Sequence, residues 1–193
     1  AISLYFVRLN DPNYPGYTLF GLLGNDGRYF KYNLENGNFE TGNLTLPSQP
    51  IEIYSLTKGN DGNILSAGFV SGNLAIYNPD NGTTRTFTGI RQVESATSLQ
   101  GKTYFGTYPG AEIVAADLSK QSGTSLQTEQ IGSLSSYGQD RPVAMIAVDS
   151  LNKLFIGTFP KAGVMGGTFA VYDIASKQLD VQPNLIENQS IIS

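Results

Sequence analysis

The sequence of 193 residues contains no His, no Cys and no Trp. Without His or Cys the chain has no Ser-His-Asp or Cys-His pair, no zinc site built on imidazole or thiolate, and no disulfide. Most familiar hydrolase chemistry is excluded with them. Charged residues are also few, at 15% of the chain. The 12 Lys and Arg against 16 Asp and Glu give a net charge of −4. That balance argues against nucleic acid or an anionic membrane surface as the main partner.

Long hydrophobic runs are missing as well. No segment approaches the roughly 18 apolar residues of a membrane helix, and the N-terminus lacks the layout of a signal peptide. We therefore expect no membrane insertion. The chain begins at Ala1 instead of Met, which leaves two alternatives: a removed leader, or a segment of a longer protein. The length fits one domain spanning residues 1–193.

Turn-forming residues are abundant and evenly spread. The 22 Gly and 9 Pro lie along the whole chain, so turns recur about every 8 to 12 residues, which is typical of all-β proteins. Four segments share one layout, an alternating strand that ends in Asn or Asp. Their central strings are GRYFKYNLENG (27–37), GNLAIYNPDNG (72–82), AEIVAADLSKQSG (111–123) and GTFAVYDIASK (167–177). The terminal anchors are Asn33, Asn78, Asp117 and Asp173.

The spacing of the anchors predicts the architecture. They lie 45, 39 and 56 residues apart, and a period in the forties indicates β-propeller blades. Residues 111–122 alone would pass for a helix, but alignment with the sister repeats favours a strand. A second strand with a Gly at a matching point precedes each anchor, a more apolar strand precedes that, and a fourth strand follows. The matching glycines are Gly21, Gly68, Gly106 and Gly157.

Each repeat is therefore predicted to be four antiparallel strands. The approximate blades are 1–47, 48–91, 92–138 and 139–187, and residues 188–193 begin a further repeat. The anchor side chain is expected to bond backbone amides two residues on, while Gly37 or Gly82 supplies the positive φ of a tight hairpin.

This hairpin pattern resembles the third-to-fourth strand hairpin of bacterial β-propeller repeats of the WD40, kelch and YVTN kind. The resemblance covers nearly the whole chain and implies a fold, not a function. The WD dipeptide with its structural His is absent, as is the kelch double-Gly and Trp pattern, so no closer family is indicated. Three arrangements stay open: a segment of a seven- or eight-bladed propeller, which we favour, four blades closed by the tail, or two copies forming one ring. In an open ring, apolar flanks would drive self-association or require missing blades.

Propellers usually bind ligands at the face where loops between the second and third strands meet loops leading into the next blade. The candidate ligand-binding residues there are Tyr108, Tyr137, Gln139, Asp140, Arg141, Phe159, Lys161 and Gln189. The loop 137–141 is the most polar, and with aromatic surfaces beside it could hold a saccharide or a carboxylate. The structural alternative is that Asp140 and Arg141 pair with each other or cap a turn before Pro142. On the binding hypothesis, Arg141→Ala weakens a ligand and leaves stability nearly intact.

A Gln precedes every first strand after the opening one, at Gln49, Gln92, Gln139 and Gln189. These amides could line the face and bind a polar ligand, or satisfy backbone groups of the neighbouring blade, and fourfold repetition favours the second role.

Metal and cofactor motifs are lacking. Residues 25–27 and 60–63 contain Asp and Asn but not the alternating ligands and Glu of a calcium loop, so Asp-Gly hairpin turns are expected there. The glycines of residues 163–167 have no Lys-Ser/Thr after them and predict a flexible loop, not a phosphate site. No catalytic residue, metal or cofactor is predicted.

The function predicted is a non-catalytic recognition or scaffolding module of a bacterial secreted or surface protein. It would bind a polar ligand such as a saccharide, or a protein, at the channel-mouth face. The alternative is a carbohydrate-active lyase or hydrolase working with Tyr, Arg and carboxylates, of which Asp140, Glu187 and Glu94 lie nearest the face. Convergence of Asp140, Arg141, Tyr137, Lys161 and Glu187 in one cleft would favour the enzyme.

Overall fold

A computed structural model describes residues 3–23, 28–44, 51–59, 61–70 and 73–192, and within these ranges the strands form four sheets. The first sheet consists of β1 (Ser3–Val7), β2 (Thr18–Leu22), β3 (Arg28–Asn33) and β4 (Phe39–Asn43). The second consists of β5 (Ile53–Lys58), β6 (Ile64–Gly68), β7 (Leu74–Tyr77) and β8 (Thr84–Phe87). The third consists of β9 (Gln92–Leu99), β10 (Lys102–Tyr108), β11 (Glu112–Ala116) and β12 (Glu129–Ser133). The fourth consists of β13 (Gln139–Val148), β14 (Lys153–Pro160), β15 (Thr168–Asp173) and β16 (Gln178–Pro183).

Each sheet corresponds to one predicted repeat, and its strands pair antiparallel in chain order. The all-β propeller-blade architecture is therefore confirmed. Within residues 111–122 the structure has a strand at Glu112–Ala116, as the repeat alignment predicted, followed by a 3-10 turn at Leu118–Lys120. By its contacts the chain divides into two units, Ala1–Pro50 and Ile51–Ser193, and each is considered by itself below. The assignment of residues 1–193 to a single domain stays a prediction.

The anchor residues make the predicted bonds. The Oδ1 atom of Asn33 accepts hydrogen bonds from the backbone N–H groups of Glu35 and Asn36, at 3.0 Å each. The equivalent carboxamide or carboxylate oxygens of Asn78, Asp117 and Asp173 accept from the N–H two residues on. Asn and Asp suit this position because their short side chains reach the following backbone.

The residue four positions after the anchor closes three of these turns in the left-handed region. Gly37 and Gly82 have φ of 73° and 71°, as predicted. In the fourth sheet the same position is Lys177, with φ of 58°. A side chain in this region is strained where glycine is not.

In the unit Ile51–Ser193 the third sheet is buried on both faces. One cluster joins it to the second sheet and includes Leu74, Phe87 and Phe105. Two further clusters join it to the fourth sheet and include Leu154 and Ile156. Burial of these side chains, each contributing roughly 1.5–3 kcal/mol, holds the three sheets face to face.

Two of the repeated glycines lie where the backbone leading into the next repeat passes over the sheet. A Cβ added at Gly106 would lie 2.7 Å from the carbonyl oxygen of Pro142. At Gly157 it would lie 2.7 Å from the carbonyl oxygen of Ile191. The matching glycines therefore give space for the next segment of chain.

Residues 188–192 follow the same path on the fourth sheet that the beginning of β13 follows on the third. The N–H of Ala111 donates to the carbonyl of Asp140 at 2.9 Å, and the N–H of Gly167 donates to that of Gln189 at 2.7 Å. Since Ala111 and Gly167 lie at equivalent positions before β11 and β15, these two hydrogen bonds correspond; that residues 188–193 begin a further repeat stays a prediction.

Candidate functional site

The predicted site residue Arg141 links three sheets of the unit Ile51–Ser193. Its Nη1 atom donates to Glu94 Oε1 on β9 at 3.0 Å and to the Tyr54 hydroxyl on β5 at 3.3 Å. Its guanidinium carbon lies 3.9 Å from the centre of the Tyr108 ring on β10, a cation–π contact. Arg141 itself lies near the start of β13.

The carboxylate of Glu94 is inaccessible to solvent, whereas the Arg141 side chain is 28% exposed. Glu94 Oε1 also accepts a hydrogen bond from the Gln92 amide at 2.6 Å. Burial has the largest single effect on the pKa of Arg141 and lowers it, but the Glu94 charge, Tyr54, Tyr108 and the hydrogen bond to Glu94 together outweigh burial and raise the pKa. The guanidinium is thus a fixed positive charge committed to a buried partner.

A groove beside this pair holds most of the predicted ligand-binding residues. We name it the loop groove. Its volume is about 460 Å³, and its lining includes Tyr108, Asp140, Arg141, Phe159, Lys161 and Met165. Most of one wall is the loop 160–166 between β14 and β15. Five of the eight candidate residues predicted from the sequence therefore line the loop groove.

The loop wall presents an unusual combination of groups. Phe159 is 48% and Met165 71% exposed, although both are large and apolar. Within the described ranges, the Lys161 side chain has no hydrogen bond or ion pair. Its backbone is held in place, since Lys161 N–H donates to Gly138 and Lys161 C=O accepts from Val164. The unpaired ammonium of Lys161 therefore extends from a hydrogen-bonded turn next to the exposed side chains of Phe159 and Met165.

Asp140 has a structural role. Its Oδ1 atom accepts from the N–H of Gly110 at 2.8 Å, and its carbonyl accepts from Ala111. Both bonds fix the turn between β10 and β11. The ion pair of Asp140 with Arg141, which the sequence left open as an alternative to ligand binding, is not found among the described residues, because Arg141 pairs with Glu94.

The other three candidates do not line the loop groove. Tyr137 is exposed on the 3-10 turn Ser135–Tyr137. Gln139 is buried, and its amide bonds the carbonyls of Tyr137 and Gly166 and the Thr158 hydroxyl. Gln189 uses its backbone to bind Gly167. Glu187 is also absent from the lining, so the five residues named for an enzyme do not all converge.

The glutamines before the first strands are not equivalent in the fold. Gln92 pairs with Tyr108 across its sheet, whereas Gln139 pairs with Pro160. Arg141 occupies the position of Gln92 in the fourth sheet, opposite Phe159. Gln92 does bind the neighbouring sheet, by accepting from the N–H of Val70. Gln49 lies outside the described residues.

The other motifs behave as turns and loops where the structure describes them. Asn63 N–H bonds the Asp61 carboxylate, and Gly62 has φ of 82°, as in a tight turn. Residues 25–27 and Asn60 lie outside the described ranges. Within those ranges no cluster of three or more acidic residues could hold a metal, and no helix is long and apolar enough to span a membrane.

Sequence reasoning missed the partners of Arg141. Tyr54 was not singled out, and Glu94 was named only as a carboxylate near the face. A signal did exist, because Glu94 stands in a strand whose neighbours are apolar or small, and a buried carboxylate needs a cationic partner.

No protein-family model matches this sequence, and no curated protein matches it. Among solved structures, the luciferin-regenerating enzyme is 16% identical with a TM-score of 0.54, over 72% of this chain and 48% of that chain. The tricorn protease is 13% identical with a TM-score of 0.51, over 85% of this chain and 15% of that chain. The WD40 repeats of RRP9 are 17% identical with a TM-score of 0.49, over 85% of this chain and 47% of that chain. The chain thus spans about half the length of the first structures it matches, and the likeness concerns the fold alone.

Proposed function

We propose that this chain is a non-catalytic recognition module that binds a protein segment carrying an acidic side chain in the loop groove. The observation that carries the proposal is the unpaired Lys161 ammonium between two exposed apolar side chains, Phe159 and Met165. Aromatic residues and Met are enriched at protein interfaces, where they supply contact area. A single cation beside them would select a carboxylate and set the orientation of the segment.

A protein segment fits the groove better than a saccharide. One face of Tyr108 is covered by the Arg141 guanidinium, so that ring is not free for stacking on that side. Arg141 already donates through Nη1 to Glu94, and this ion pair neutralises much of the charge that it could offer to a ligand. The exposed apolar side chains of Phe159 and Met165 provide contact surface for a residue such as Leu or Phe next to an acidic residue.

The contacts give no support to the carbohydrate-active enzyme alternative. A glycosidase needs two carboxyl groups facing the scissile bond. In the loop groove the Asp140 carboxylate is engaged by the Gly110 N–H, and Glu94 is buried in its ion pair. Among the described residues, Asp140 is then the only carboxylate that lines the groove, which is one short of the pair that a glycosidase needs.

The proposal is tested with a displayed library of random peptides panned against the full chain. Enriched peptides should share an acidic residue beside an apolar one. Lys161→Glu should invert the preference to a basic residue, and Met165→Ser should weaken binding about tenfold, as for a contact worth roughly 1.4 kcal/mol. Lys177→Glu, which changes an exposed lysine on the β15–β16 turn, is the matched control. An identical peptide pool from the Lys161→Glu variant would refute the site. If no peptide is enriched and the chain binds to a glycan array instead, the saccharide is favoured.

We also propose the secreted or surface location in a bacterium that the composition indicated, namely 15% charged residues and no Cys. Antibodies against the chain should label intact cells of the source organism. Labelling that requires lysis would contradict this location.

A further inference from the structure

The first sheet, in the unit Ala1–Pro50, has one strongly apolar face. Residues directly opposite each other in antiparallel strands lie on the same face. By the pairing of β1 to β4, this face contains Leu4, Phe6, Leu19, Tyr32 and Phe39. All of them except Leu19 are between 42% and 64% exposed. A contiguous apolar face of this kind indicates an interaction surface.

The fourth sheet shows what such a face packs against. The two sheets can be aligned on their anchors, Asn33 opposite Thr18 and Asp173 opposite Lys153. The five positions then correspond to Met145, Ala147, Leu154, Tyr172 and Leu179. All five belong to the cluster that packs the fourth sheet on the third. The apolar face of the first sheet is therefore the face with which a blade packs on the blade before it.

The fourth sheet has the complementary face. In the third sheet, the side that receives the fourth sheet includes Leu99, Tyr104 and Ala115. The corresponding positions of the fourth sheet hold Val148, Phe155 and Val171. None of the three clusters formed by the described residues includes these side chains. The chain thus carries both members of one more contact between blades.

Residues 188–192 and β1 correspond to the two halves of β13. The carbonyl of Ile191 lies over Gly157 as that of Pro142 lies over Gly106, so residues 188–192 correspond to 139–143. The pairing of β1 with β2 makes Ser3–Val7 correspond to residues 144–148. A β1 strand that continues the path of residues 188–192 would therefore complete a first strand as long as β13.

We propose that a second copy of this chain supplies that strand and its sheet. The first sheet of each copy packs on the fourth sheet of the other, so that two identical contacts close a ring of eight sheets. Propellers typically have four to eight blades. One copy spans about half the length of the luciferin-regenerating enzyme that it resembles, which favours two copies in the ring. This contact does not depend on the protein segment proposed for the loop groove.

The repeat also predicts one pair of residues in the contact. Ile146 corresponds to Thr97 of the third sheet, and Phe6 corresponds to Ala147 of the fourth. The Thr97 hydroxyl accepts a hydrogen bond from the Ala147 N–H at 3.2 Å. Phe6 of one copy should therefore lie next to Ile146 of the other. Both side chains are exposed in the single chain, at 64% and 61%, so they can be replaced without opening its core.

A disulfide tests this pair directly, because the chain has no Cys of its own. The variant with both Phe6→Cys and Ile146→Cys, oxidised while folded, should migrate as a dimer on a denaturing gel without reductant. Each substitution alone should remain monomeric on the gel. So should Phe6→Cys combined with Leu151→Cys, which lies exposed on the turn Asp149–Leu151. Light scattering on a sizing column should give the unsubstituted chain twice its mass of 20.8 kDa.

Charged substitutions test the head-to-tail orientation. Phe6→Glu and Ile146→Glu should each weaken the dimer at least about tenfold, as for a residue central to an interface. A mixture of the two variants should form a dimer again, because one of its two contacts then joins two unsubstituted faces. Leu151→Glu should leave the dimer unchanged.

Four results would overturn the proposal. A monomeric mass for the unsubstituted chain would exclude the second copy, and a disulfide formed within one chain would show that its own first sheet takes that place. Cross-linking of the single Cys variants as readily as the double variant would mean that like faces meet. Cross-linked species longer than a dimer would mean that the contact repeats without closing a ring. The Cys variants decide these points even if a Glu variant folds poorly.

Discussion

The guanidinium of Arg141 on β13 lies 3.0 Å from the carboxylate of Glu94 on β9, and this bond joins two neighbouring sheets at the edge of the loop groove. The two residues are 47 positions apart in the chain. Because the carboxylate has no contact with solvent, the pair is required for stability once Glu94 is ionised in the fold.

We therefore expect Arg141→Ala to destabilise the chain, contrary to the sequence-based expectation of nearly intact stability. Loss of the cation leaves a buried carboxylate unpaired, which costs about 3 kcal/mol. Urea unfolding at neutral pH measures the change. Arg91→Ala is the control, because Arg91 pairs with Glu112 at 2.9 Å on the surface and should contribute less than about 1 kcal/mol. Equal effects of the two substitutions would show that the buried pair has no special role.

Gly157→Ala should lower the free energy of unfolding by about 1–3 kcal/mol, since the new methyl group would overlap Ile191. All three nearest atoms to the added Cβ belong to Ile191. The cost should therefore vanish when Gly157→Ala is compared in a chain lacking residues 188–193. A cost that persists in the shortened chain would locate the strain in β14 itself.

Lys177→Gly should stabilise the fourth sheet by about 0.5–1 kcal/mol, because it removes a side chain from left-handed backbone. The first two sheets already have glycine at this position. Ser176→Gly, one residue earlier and without positive φ, should not stabilise. Melting temperatures of the two variants give the comparison, and a lower value for Lys177→Gly would contradict the strain argument.

Asp117 should make stability sensitive to acid. The Lys120 ammonium at 2.8 Å and the Ser119 hydroxyl lower the pKa of this carboxyl from 3.8 to about 2. The folded state therefore binds the proton less readily than the unfolded state. Its contribution is present above about pH 4 and is lost as the pH falls through about 2.

The Asp117→Asn variant keeps the bond to the backbone, as Asn33 and Asn78 do, but does not titrate. Its urea midpoint should fall less between pH 4 and pH 2 than that of the unsubstituted chain. An NMR titration that gives Asp117 an ordinary pKa would remove the basis for the expected difference.

The repeats could be predicted because local chemistry and spacing agree. Asn33 and Asn78 end strands and bond the next backbone amides whatever surrounds them, so their role is visible in a short string. Once four such anchors recur, the antiparallel order follows. The same alignment correctly assigned Glu112–Ala116 to a strand against its local helical pattern.

The site was predicted less well, because its geometry depends on register and on contacts between sheets. The pairing of β13 with β14 shifts between Gln139 and Ala144, so counting residues cannot show that Arg141, not Gln139, occupies the position of Gln92. The partnership of Arg141 with Glu94 depends on the packing of two sheets, and nothing in either local sequence identifies the other member. Tyr108 and Phe159 could be chosen because both follow the second strand of a repeat, where the loops of the ligand-binding face were expected.

The passage of β13 over Gly106 has a consequence for anyone who wishes to shuffle these blades. A DNA segment cut at the borders of the third sheet would omit Pro142 and Asp140. The carbonyl of Pro142 lies over Gly106 and accepts a hydrogen bond from the Ser95 hydroxyl, and the carbonyl of Asp140 accepts one from the Ala111 N–H. In a new host, the Ser95 hydroxyl and the Ala111 N–H of the grafted sheet would lack these hydrogen-bond acceptors. A blade that is to be transplanted therefore has to include the first residues of the next blade. The smallest exchangeable segment of this chain is longer than the four strands of one sheet.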